Sequence, residues 1–344
     1  MRAATKRVQA RWTPERTGGV RSNIKYVISR ALRPYDRHSR EVLSGVINDV
    51  REATLAVADE VDALHAKQAG FDTFVTADMD KLDLELHSKR SRFCSYLGDH
   101  LAVCRVLGNM KMFVDTRDHW LAANLMTDGY WESWITLAML RVLKPGMVAV
   151  DVGANYGYYT ILMARCVGRT GKVVSFEPNP ELVALMRKSL FLSGIRQIHE
   201  IHEEAAYSTT GEKVRFGIPT QERWMNARVV ADEQPFEGTV IDVPTVRLDD
   251  VLPEKVDFIK IDAEGGEREI WRGMSKTIAN NPQLQIFLEF NPRRTAHYDP
   301  HEFLDKIRDD GFELAVVGYD ASYRLVDGDK LIANGSEQIL HLRR

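Results

Sequence analysis

The chain has few of the features that mark secreted, metal-bound or membrane proteins. Its 344 residues include three cysteines, and the spacing of Cys94, Cys104 and Cys166 is not that of a metal-binding motif or a disulfide framework. No apolar run approaches the roughly 18 residues that a membrane span needs. Arginines stand near the start of the chain, where a signal peptide would carry an apolar segment. We therefore expect a globular protein of the cytoplasm.

Positive charge is concentrated at the start of the chain. Residues 1–40 hold eleven Lys or Arg and two acidic residues, whereas the whole chain has a formal net charge of −3. This composition predicts a basic, flexible tail. Contact of the tail with an anionic membrane surface remains an alternative, and nucleic acid is not the expected partner. The arginine-rich start also resembles a transit peptide.

A heptad pattern follows the tail, over residues 41–70. Apolar residues alternate in steps of four and three, with one polar exception, at Leu43, Ile47, Val50, Thr54, Val57, Val61 and Leu64. The spacing predicts an amphipathic helix, and its length reaches the roughly three to four heptads of a credible coiled coil. We expect this helix to make the protein a homo-oligomer. Packing of the helix against its own domain is the alternative.

The remainder of the chain predicts a helical lead-in followed by an α/β domain. In the lead-in, residues 71–145, we expect helices near residues 81–106 and in "GYWESWITLAMLRVLKPG", and a strand at "KMFVDT". In the domain, residues 146–344, the strand candidates are "MVAVDVG", "KVVSFEP", "IHEIHEEAA", "VDFIKIDAE", "QIFLEF", "ELAVVGYD" and "QILHLRR". Two further extended pieces, "EKVRFGIP" and "DVPTVRLDDVLP", fall between the third and fourth of these strands. Alternating strands and helices predict a Rossmann-like, doubly wound parallel sheet, in which ligands bind beyond the carboxyl ends of the strands.

Acidic residues lie where such a ligand would bind. The strand ends carry Asp151, Glu177, Asp262, Glu264 and Glu289. A carboxylate after the second strand can accept hydrogen bonds from both hydroxyls of a ribose, and Glu177 lies 20 residues after Gly157, the spacing of dinucleotide folds. The sequence thus predicts a site for a ribose-containing cofactor.

The loop after the first strand, "GANYG", is not shaped for phosphate. Both the G-x-G-x-x-G turn and the G-x-x-x-x-G-K-[ST] loop are missing. A cofactor with a ribose and no phosphate, S-adenosylmethionine, suits the loop better. Asp151 could bind its ammonium group, Gly153 and Gly157 would let the backbone approach, and Asn155 would donate to its carboxylate. Two alternatives stay open: an NAD(P)-dependent oxidoreductase, and a non-catalytic oligomeric scaffold with a degenerate cofactor site.

Four segments resemble the FkbM family of S-adenosylmethionine-dependent methyltransferases: "VDVGANYGYYT", "FEPNP", "VDFIKIDAEGGEREIWRGM" and "IFLEFNP". The resemblance covers about residues 111–344. It implies a class I methyltransferase fold of seven strands, the last one antiparallel. It also implies methyl transfer to a hydroxyl of a sugar, glycan or natural product.

The resemblance further implies a role for each site residue. The methionine half of the cofactor would contact Asp151, Gly153, Asn155 and Gly157, the ribose Glu177, the adenine Ala205 and Ala206, and the sulfonium methyl Asp262 and Glu264. Glu132 is a further candidate for contact with cofactor or substrate. Asp151, Glu177 and Glu264 could instead cap or begin helices.

Methyl transfer needs mainly alignment, because a sulfonium methyl is already activated. A hydroxyl acceptor must also lose its proton, and the candidates for the general base are Asp262, Glu264 and His297. Asp262 and Glu289 could meet as oxygen ligands, but two carboxylates make a poor metal site, and we expect no metal. The acceptor pocket is expected in variable loops such as residues 218–243.

Overall fold

The computed structural model describes residues 93–195, 199–220, 226–230, 236–295 and 298–344. The basic tail, the heptad helix and the base candidate His297 lie outside the described residues, so the expectations about them stay predictions. Among the described residues, no helix is both long enough and apolar enough to cross a membrane.

The described strands and helices are numbered in chain order. The strands are β1 (Cys94–Gly98), β2 (Leu101–Val106), β3 (Met110–Asp115), β4 (Val148–Val152), β5 (Lys172–Phe176), β6 (His199–His202), β7 (Ala205–Ala206), β8 (Lys213–Pro219), β9 (Arg228–Val229), β10 (Gly238–Val246), β11 (Phe258–Ile261), β12 (Gln285–Phe290), β13 (Glu313–Val317), β14 (Tyr323–Leu325) and β15 (Gln338–Arg343). The helices are α1 (Leu121–Thr127), α2 (Ser133–Val142), α3 (Tyr158–Val167), α4 (Pro180–Leu192), α5 (Leu248–Val251), α6 (Glu267–Arg272), α7 (Ser275–Asn280), α8 (Pro300–Asp309) and α9 (Gly328–Asn334).

The main sheet contains eight of the described strands, in the order β14-β13-β15-β12-β11-β4-β5-β6. Strands β4, β5, β6, β11 and β12 run parallel, and β15 lies antiparallel between β12 and β13. The parallel sheet and the antiparallel last strand are confirmed, whereas the expected number of seven strands is wrong. The additional strand is β14. It arises because a turn, in which the N–H of Gly318 donates to the carbonyl of Ser322, folds the chain back onto β13.

Helices cover both faces of this sheet, so it is doubly wound. Successive residues of a strand point to opposite faces. Ala149 of β4 therefore packs in the core formed with α1 to α4, while its neighbour Val150 packs in the core formed with α6 to α9. Because central strands are covered on both sides, all four residues of β11 are buried, the charged Lys260 among them.

The sequence "EPNP" fixes the chain between β5 and α4. The side chain of Asn179 caps α4 by accepting a hydrogen bond from the N–H of Glu181, and Pro180 occupies the first helical position. This abrupt helix start holds Glu177 at the carboxyl end of β5, between the strand and the cap.

The lead-in and the third predicted strand differ from expectation. The helix expected near residues 81–106 is wrong from Cys94 onward, because β1 and β2 form an antiparallel sheet with β3. The strand expected at "KMFVDT" and the helix expected in "GYWESWITLAMLRVLKPG" are confirmed as β3 and α2. The single strand expected at "IHEIHEEAA" divides into β6 of the main sheet and β7. Strand β7 belongs to a second sheet, of order β7-β10-β8-β9, built with the two extended pieces.

Candidate active site

A cleft opens at the carboxyl ends of β4, β5 and β11, as expected for a doubly wound sheet. It encloses about 1080 Å³ of empty space, which includes space open to solvent. The predicted site residues that line it are Gly153, Asn155, Glu177, Ala205, Ala206, Asp262 and Glu264. Aromatic side chains, including Trp131 and Phe176, form much of the remaining surface. The fold thus brings most of the predicted site into one cavity.

Glu177 lies in the cleft with both carboxylate oxygens anchored. Oε2 accepts a hydrogen bond from the backbone N–H of Asn155, and Oε1 accepts one from the N–H of Asn179, each at 2.8 Å. Burial raises the pKa of Glu177 to about 7, although these two hydrogen bonds oppose the rise. Each oxygen has a further lone pair. Above neutral pH the carboxylate can therefore accept two more hydrogen bonds from a ligand.

Two predicted residues, Asp151 and Gly157, are absent from the cleft lining and support the loop from behind. The Asp151 side chain is fully buried, and its Oδ2 accepts a hydrogen bond from the Thr160 hydroxyl at 2.6 Å. Gly157 precedes α3 with a φ of +86°, and a Cβ there would meet the Met186 side chain at 2.8 Å. Gly157 therefore serves the packing of α3 against α4, and Asp151 the anchoring of α3 to the sheet.

Gly153 allows the first loop to pass close to the end of β11. Its φ is +79°, and a Cβ would lie 1.8 Å from the carbonyl oxygen of Asp262. We expect Gly153→Ala to lower the free energy of unfolding by about 3 kcal/mol, because the clash is with backbone and the conformation disfavours alanine. Thermal denaturation measures this loss. Gly146→Ala is the matched control, since Gly146 has a φ of +85° but its nearest neighbour, Thr170 Oγ1, is 3.7 Å away. Equal losses in both variants would contradict the contact argument.

A buried lysine organises the polar groups at the end of β11. Lys260 is 3% exposed, and its Nζ donates to Asp262 Oδ2 at 2.8 Å and lies 4.6 Å from the ring centroid of Tyr159. Burial disfavours the Asp262 carboxylate, but the charge of Lys260 and a hydrogen bond from Glu289 hold the pKa of Asp262 below its ordinary value. Burial and the negative Asp262 raise the pKa of Glu289 well above its ordinary value. Glu289 therefore carries the proton of this carboxyl pair, and Asp262 stays ionised.

Glu264 is held by an ion pair at the mouth of the cleft. Its carboxylate contacts the guanidinium of Arg294 and accepts a hydrogen bond from the N–H of Asn226 at 3.3 Å. Glu264 has a φ of 55°, and two other predicted polar residues, Asn155 and Glu132, have φ values of 52° and 38°. Such left-handed conformations are uncommon outside glycine, and they concentrate at functional sites.

Glu132 lies beside the cleft, at the start of α2. The hydroxyl of Tyr159, which lines the cleft, donates to Glu132 Oε2 at 2.6 Å. Burial raises the pKa of Glu132 to about 7, against the opposing effect of this hydrogen bond. Glu132 is among the residues that line a second cavity. Glu132 is therefore one hydrogen bond removed from the cofactor cleft.

Sequence reasoning missed three residues of the site, Lys260, Tyr159 and Arg294. Lys260 carried a usable signal, because it is the charged residue in the otherwise apolar strand "FIKI", and lysine is rarely buried unless it is paired. Tyr159 lies inside the segment "VDVGANYGYYT" and Arg294 just after "IFLEFNP", but neither carried a signal of its own. Within the part of the chain that the structure describes, no group of three or more His, Cys, Asp or Glu could hold a metal ion.

The sheet order, its two covered faces and the cleft at the strand ends define a Rossmann-like α/β protein. Residues 151–314 match the family model of the methyltransferase FkbM domain. Residues 151–314 are therefore similar to the FkbM methyltransferase domain, and over these residues the resemblance of the motifs to that family is confirmed.

Individual relatives match shorter stretches of the chain. The protein-L-isoaspartate O-methyltransferase of Methanococcoides burtonii is 34% identical over 67 residues, which cover 20% of this chain and 33% of that relative. Methyltransferase sdnD of Sordaria araneosa is 27% identical over 157 residues and covers 37% of this chain and 60% of its own length. The chain therefore spans about a third of the first relative. A solved structure, precorrin-6y C5,15-methyltransferase from Geobacter metallireducens, is 16% identical with a TM-score of 0.37, and the match covers 64% of this chain and 92% of that one.

Proposed function

We propose that this protein transfers the methyl group of S-adenosylmethionine to a hydroxyl of a sugar, glycan or natural product. The similarity to the FkbM domain supports methyl transfer, and the isoaspartate relative is named as an O-methyltransferase. The observation that carries the cofactor assignment is the geometry of Glu177. Its carboxylate is buried in the cleft, is oriented by two backbone N–H groups and retains a lone pair on each oxygen. That arrangement suits the two neighbouring hydroxyls of a ribose.

The other residues of the cleft fit the rest of this cofactor. The small side chains of Ala205 and Ala206 leave room for an adenine, and Gly153 and Asn155 border the end that would hold the methionine part. The loop between β4 and α3 has no phosphate cradle, which agrees with a cofactor that has no phosphate. When bound, the cofactor supplies a methyl group already activated by its sulfonium.

The role that we assign to Asp262 differs from that of a general base. An ionised carboxylate with a lowered pKa is a weak base, and one oxygen of Asp262 already accepts a hydrogen bond from Lys260. Its negative charge can instead stabilise a cationic sulfonium that binds at the carboxyl end of β11. Glu264 is likewise engaged, by Arg294. We assign these two residues to binding and alignment, which supply much of the rate when the reacting methyl is already activated.

Calorimetric titration with S-adenosylhomocysteine and, separately, with NAD tests the cofactor. We expect S-adenosylhomocysteine to bind and NAD to give no binding heat, because the loop at residues 153–157 lacks the glycine pattern for a pyrophosphate. Binding of NAD alone would instead support an oxidoreductase. Binding of neither ligand would support the non-catalytic scaffold.

A further inference from the structure

A second cavity lies at the same edge of the main sheet as the cofactor cleft. It is formed at the end of β13 and the start of β15, and it encloses about 1460 Å³ of empty space, which includes space open to solvent. Because β15 runs antiparallel, its first residues lie at the edge where β13 ends, and Val316 pairs with Leu340. The second cavity therefore opens at the carboxyl edge of the parallel strands, where ligands of this fold bind.

A hydrogen bond connects a residue of the cofactor cleft with a residue of the second cavity. Tyr159 lines the cofactor cleft, Glu132 lines the second cavity, and the Tyr159 hydroxyl donates to Glu132 Oε2 at 2.6 Å. A molecule in the second cavity would thus lie beside Glu132, whose carboxylate is hydrogen-bonded to a side chain that lines the cofactor cleft. Methyl transfer requires such a neighbouring space, because the acceptor oxygen must come within about 3 Å of the methyl carbon.

Two aromatic side chains line the second cavity. The ring centroids of Trp134 and Tyr319 are 4.8 Å apart, with an angle of 64° between the ring planes. The Tyr319 side chain is 84% exposed, so the ring presents a large apolar surface to the cavity and to solvent. Aromatic faces of this kind pack against flat apolar surfaces of a ligand while the phenol or indole edge stays hydrated.

The charged groups of the second cavity already have partners. Asp320 accepts hydrogen bonds from Ser322 and from Arg324, at 2.6 and 3.1 Å. Glu337 accepts one from the Asn291 side chain at 3.3 Å and lies 3.8 Å from Arg294. An anionic ligand would meet these carboxylates, and a cationic ligand would compete with Arg324 and Arg294 for them. A neutral ligand with several hydroxyls can use the remaining lone pairs without breaking either ion pair.

On these grounds we propose that the second cavity is the acceptor site of the enzyme. It takes a neutral, polyhydroxylated ring whose apolar face packs on Trp134 and Tyr319, and Glu132 is the catalytic base. The assignment rests on the proposed methyltransferase function. In the reaction, the acceptor oxygen forms a bond to the methyl carbon while the carbon–sulfur bond breaks and its electron pair stays on sulfur. The hydroxyl proton passes to the carboxylate of Glu132.

Glu132 suits this role better than the carboxylates of the cofactor cleft. Asp262 is a weak base beside Lys260, and Glu264 is paired with Arg294. Four groups face Glu132. The hydrogen bond from Tyr159 and the charge of Lys260 favour the ionised form of Glu132, whereas the charges of Asp262 and Glu337 oppose its ionisation. With burial as the largest effect, its pKa of about 7 lies where a general base is most effective in neutral solution.

The ring specificity is tested by saturation-transfer NMR in the presence of S-adenosylhomocysteine. The probes are three pools that share a pyranose ring: neutral methyl hexosides, hexosamines and hexuronates. We expect the neutral pool to bind best and its affinity to fall at least about tenfold in Tyr319→Ala. Tyr96→Ala is the matched control, because Tyr96 is 63% exposed on β1, outside both cavities. Preference for a charged pool, binding of no pool, or an equal loss in the control would overturn the acceptor assignment.

The base is tested with Glu132→Gln and methyl-labelled S-adenosylmethionine, with the pooled neutral hexosides as acceptors. We expect turnover to fall about 100-fold, while the affinity for S-adenosylhomocysteine stays within about twofold of the wild type. With S-adenosylmethionine held at saturation at every pH, so that the titration of Glu177 does not limit the rate, the wild-type rate should rise as the pH passes through about 7. Glu132→Asp should retain part of this dependence, while Glu132→Gln loses it. An unchanged rate, or a pH profile that survives in Glu132→Gln, would overturn the role of Glu132.

Calorimetric titration with S-adenosylhomocysteine separates the acceptor assignment from the proposed function. Failure of S-adenosylhomocysteine to bind the wild-type protein contradicts the cofactor, whatever the hexosides do. Binding of S-adenosylhomocysteine together with an unaltered response of Glu132→Gln or Tyr319→Ala contradicts the acceptor site alone. Thermal melting of every variant shows that a lost response does not come from an unfolded protein.

Discussion

The Glu177→Ala variant is expected to bind S-adenosylhomocysteine about 100-fold more weakly than the wild-type protein. The carboxylate can accept hydrogen bonds from both ribose hydroxyls, and hydrogen bonds to a charged group contribute about 1.5 to 3 kcal/mol. The substitution also removes the acceptor of the Asn155 N–H, so the loop after β4 loses its anchor. A loss of about 2 to 3 kcal/mol corresponds to roughly 30- to 150-fold in the dissociation constant. Calorimetric titration measures it.

A matched variant and a pH series make this result specific. Glu181→Ala changes an exposed glutamate in the first turn of α4, outside the cleft, and should leave the affinity unchanged. The wild-type affinity should fall as the pH drops below about 7, because protonation of Glu177, whose pKa burial raises to about 7, removes part of its acceptor capacity. The affinity of Glu177→Ala should show no such step. Equal affinities of Glu177→Ala and the wild type would remove Glu177 from the cofactor site.

Lys260→Met is expected to lower the free energy of unfolding by about 3 to 5 kcal/mol in neutral solution. Lys260 is the cation that compensates Asp262, and it also lies near the buried Asp151. Removing one partner of a buried ion pair leaves an uncompensated charge, which is far more costly than losing a pair at the surface. Urea denaturation, with the wild type measured in the same buffers, gives the difference.

The pH dependence of this loss has a defined sign. In the wild type the pKa of Asp262 lies below its ordinary value of 3.8, so Asp262 contributes stability above that value and loses it as the pH falls through the folded pKa. Without Lys260, burial would raise that pKa, and ionisation would then oppose folding as the pH rises. The difference between wild type and variant should therefore grow as the pH rises above about 4.

The surface offers a control with the same spacing. Lys255 and Asp257 also form a pair two residues apart, at 3.0 Å, but the Lys255 side chain is 73% exposed. Lys255→Met should leave the stability nearly unchanged, because exposed pairs gain little from their attraction in water. Similar losses in the two methionine variants would show that burial of Lys260 is not the cause.

The domain could be predicted because its strands are short apolar runs, alternate with helices and end in polar residues. The runs around Val150, Val174 and Ile259 specify buried parallel strands, and all three are buried. Strands β1 and β2 were harder to predict, because the turn between them depends on left-handed Gly98, Asp99 and His100. Strand β7 is two residues long, and its pairing with β10 comes from tertiary contact rather than from a local pattern.

The sequence predicted which residues form the candidate site better than it predicted how their side chains are oriented. The strand-end motifs correctly identified residues that share one cleft, such as Glu177 and Asp262. The placement of Asp151 follows from strand alternation: it lies two residues after Ala149, and its side chain points to the same face, toward Thr160 of α3. That rule could have excluded it from the cleft. The pairing of Asp262 with Lys260 and Glu289 depends on neighbouring strands, and a single sequence does not state it.

The left-handed backbone at Glu132 and Glu264 has a consequence for anyone who engineers this protein. At φ values of 38° and 55° the backbone energy of glycine would be lower than that of glutamate, by roughly 1 kcal/mol or more at each position. Glycine at either position would relieve this backbone strain, but it would also delete a carboxylate that lines one of the two cavities and break its pairing with Arg294 or Tyr159. A glycine that eases the backbone would lower methyl transfer, so a stabilised variant should be judged by its turnover before it is judged by its melting temperature.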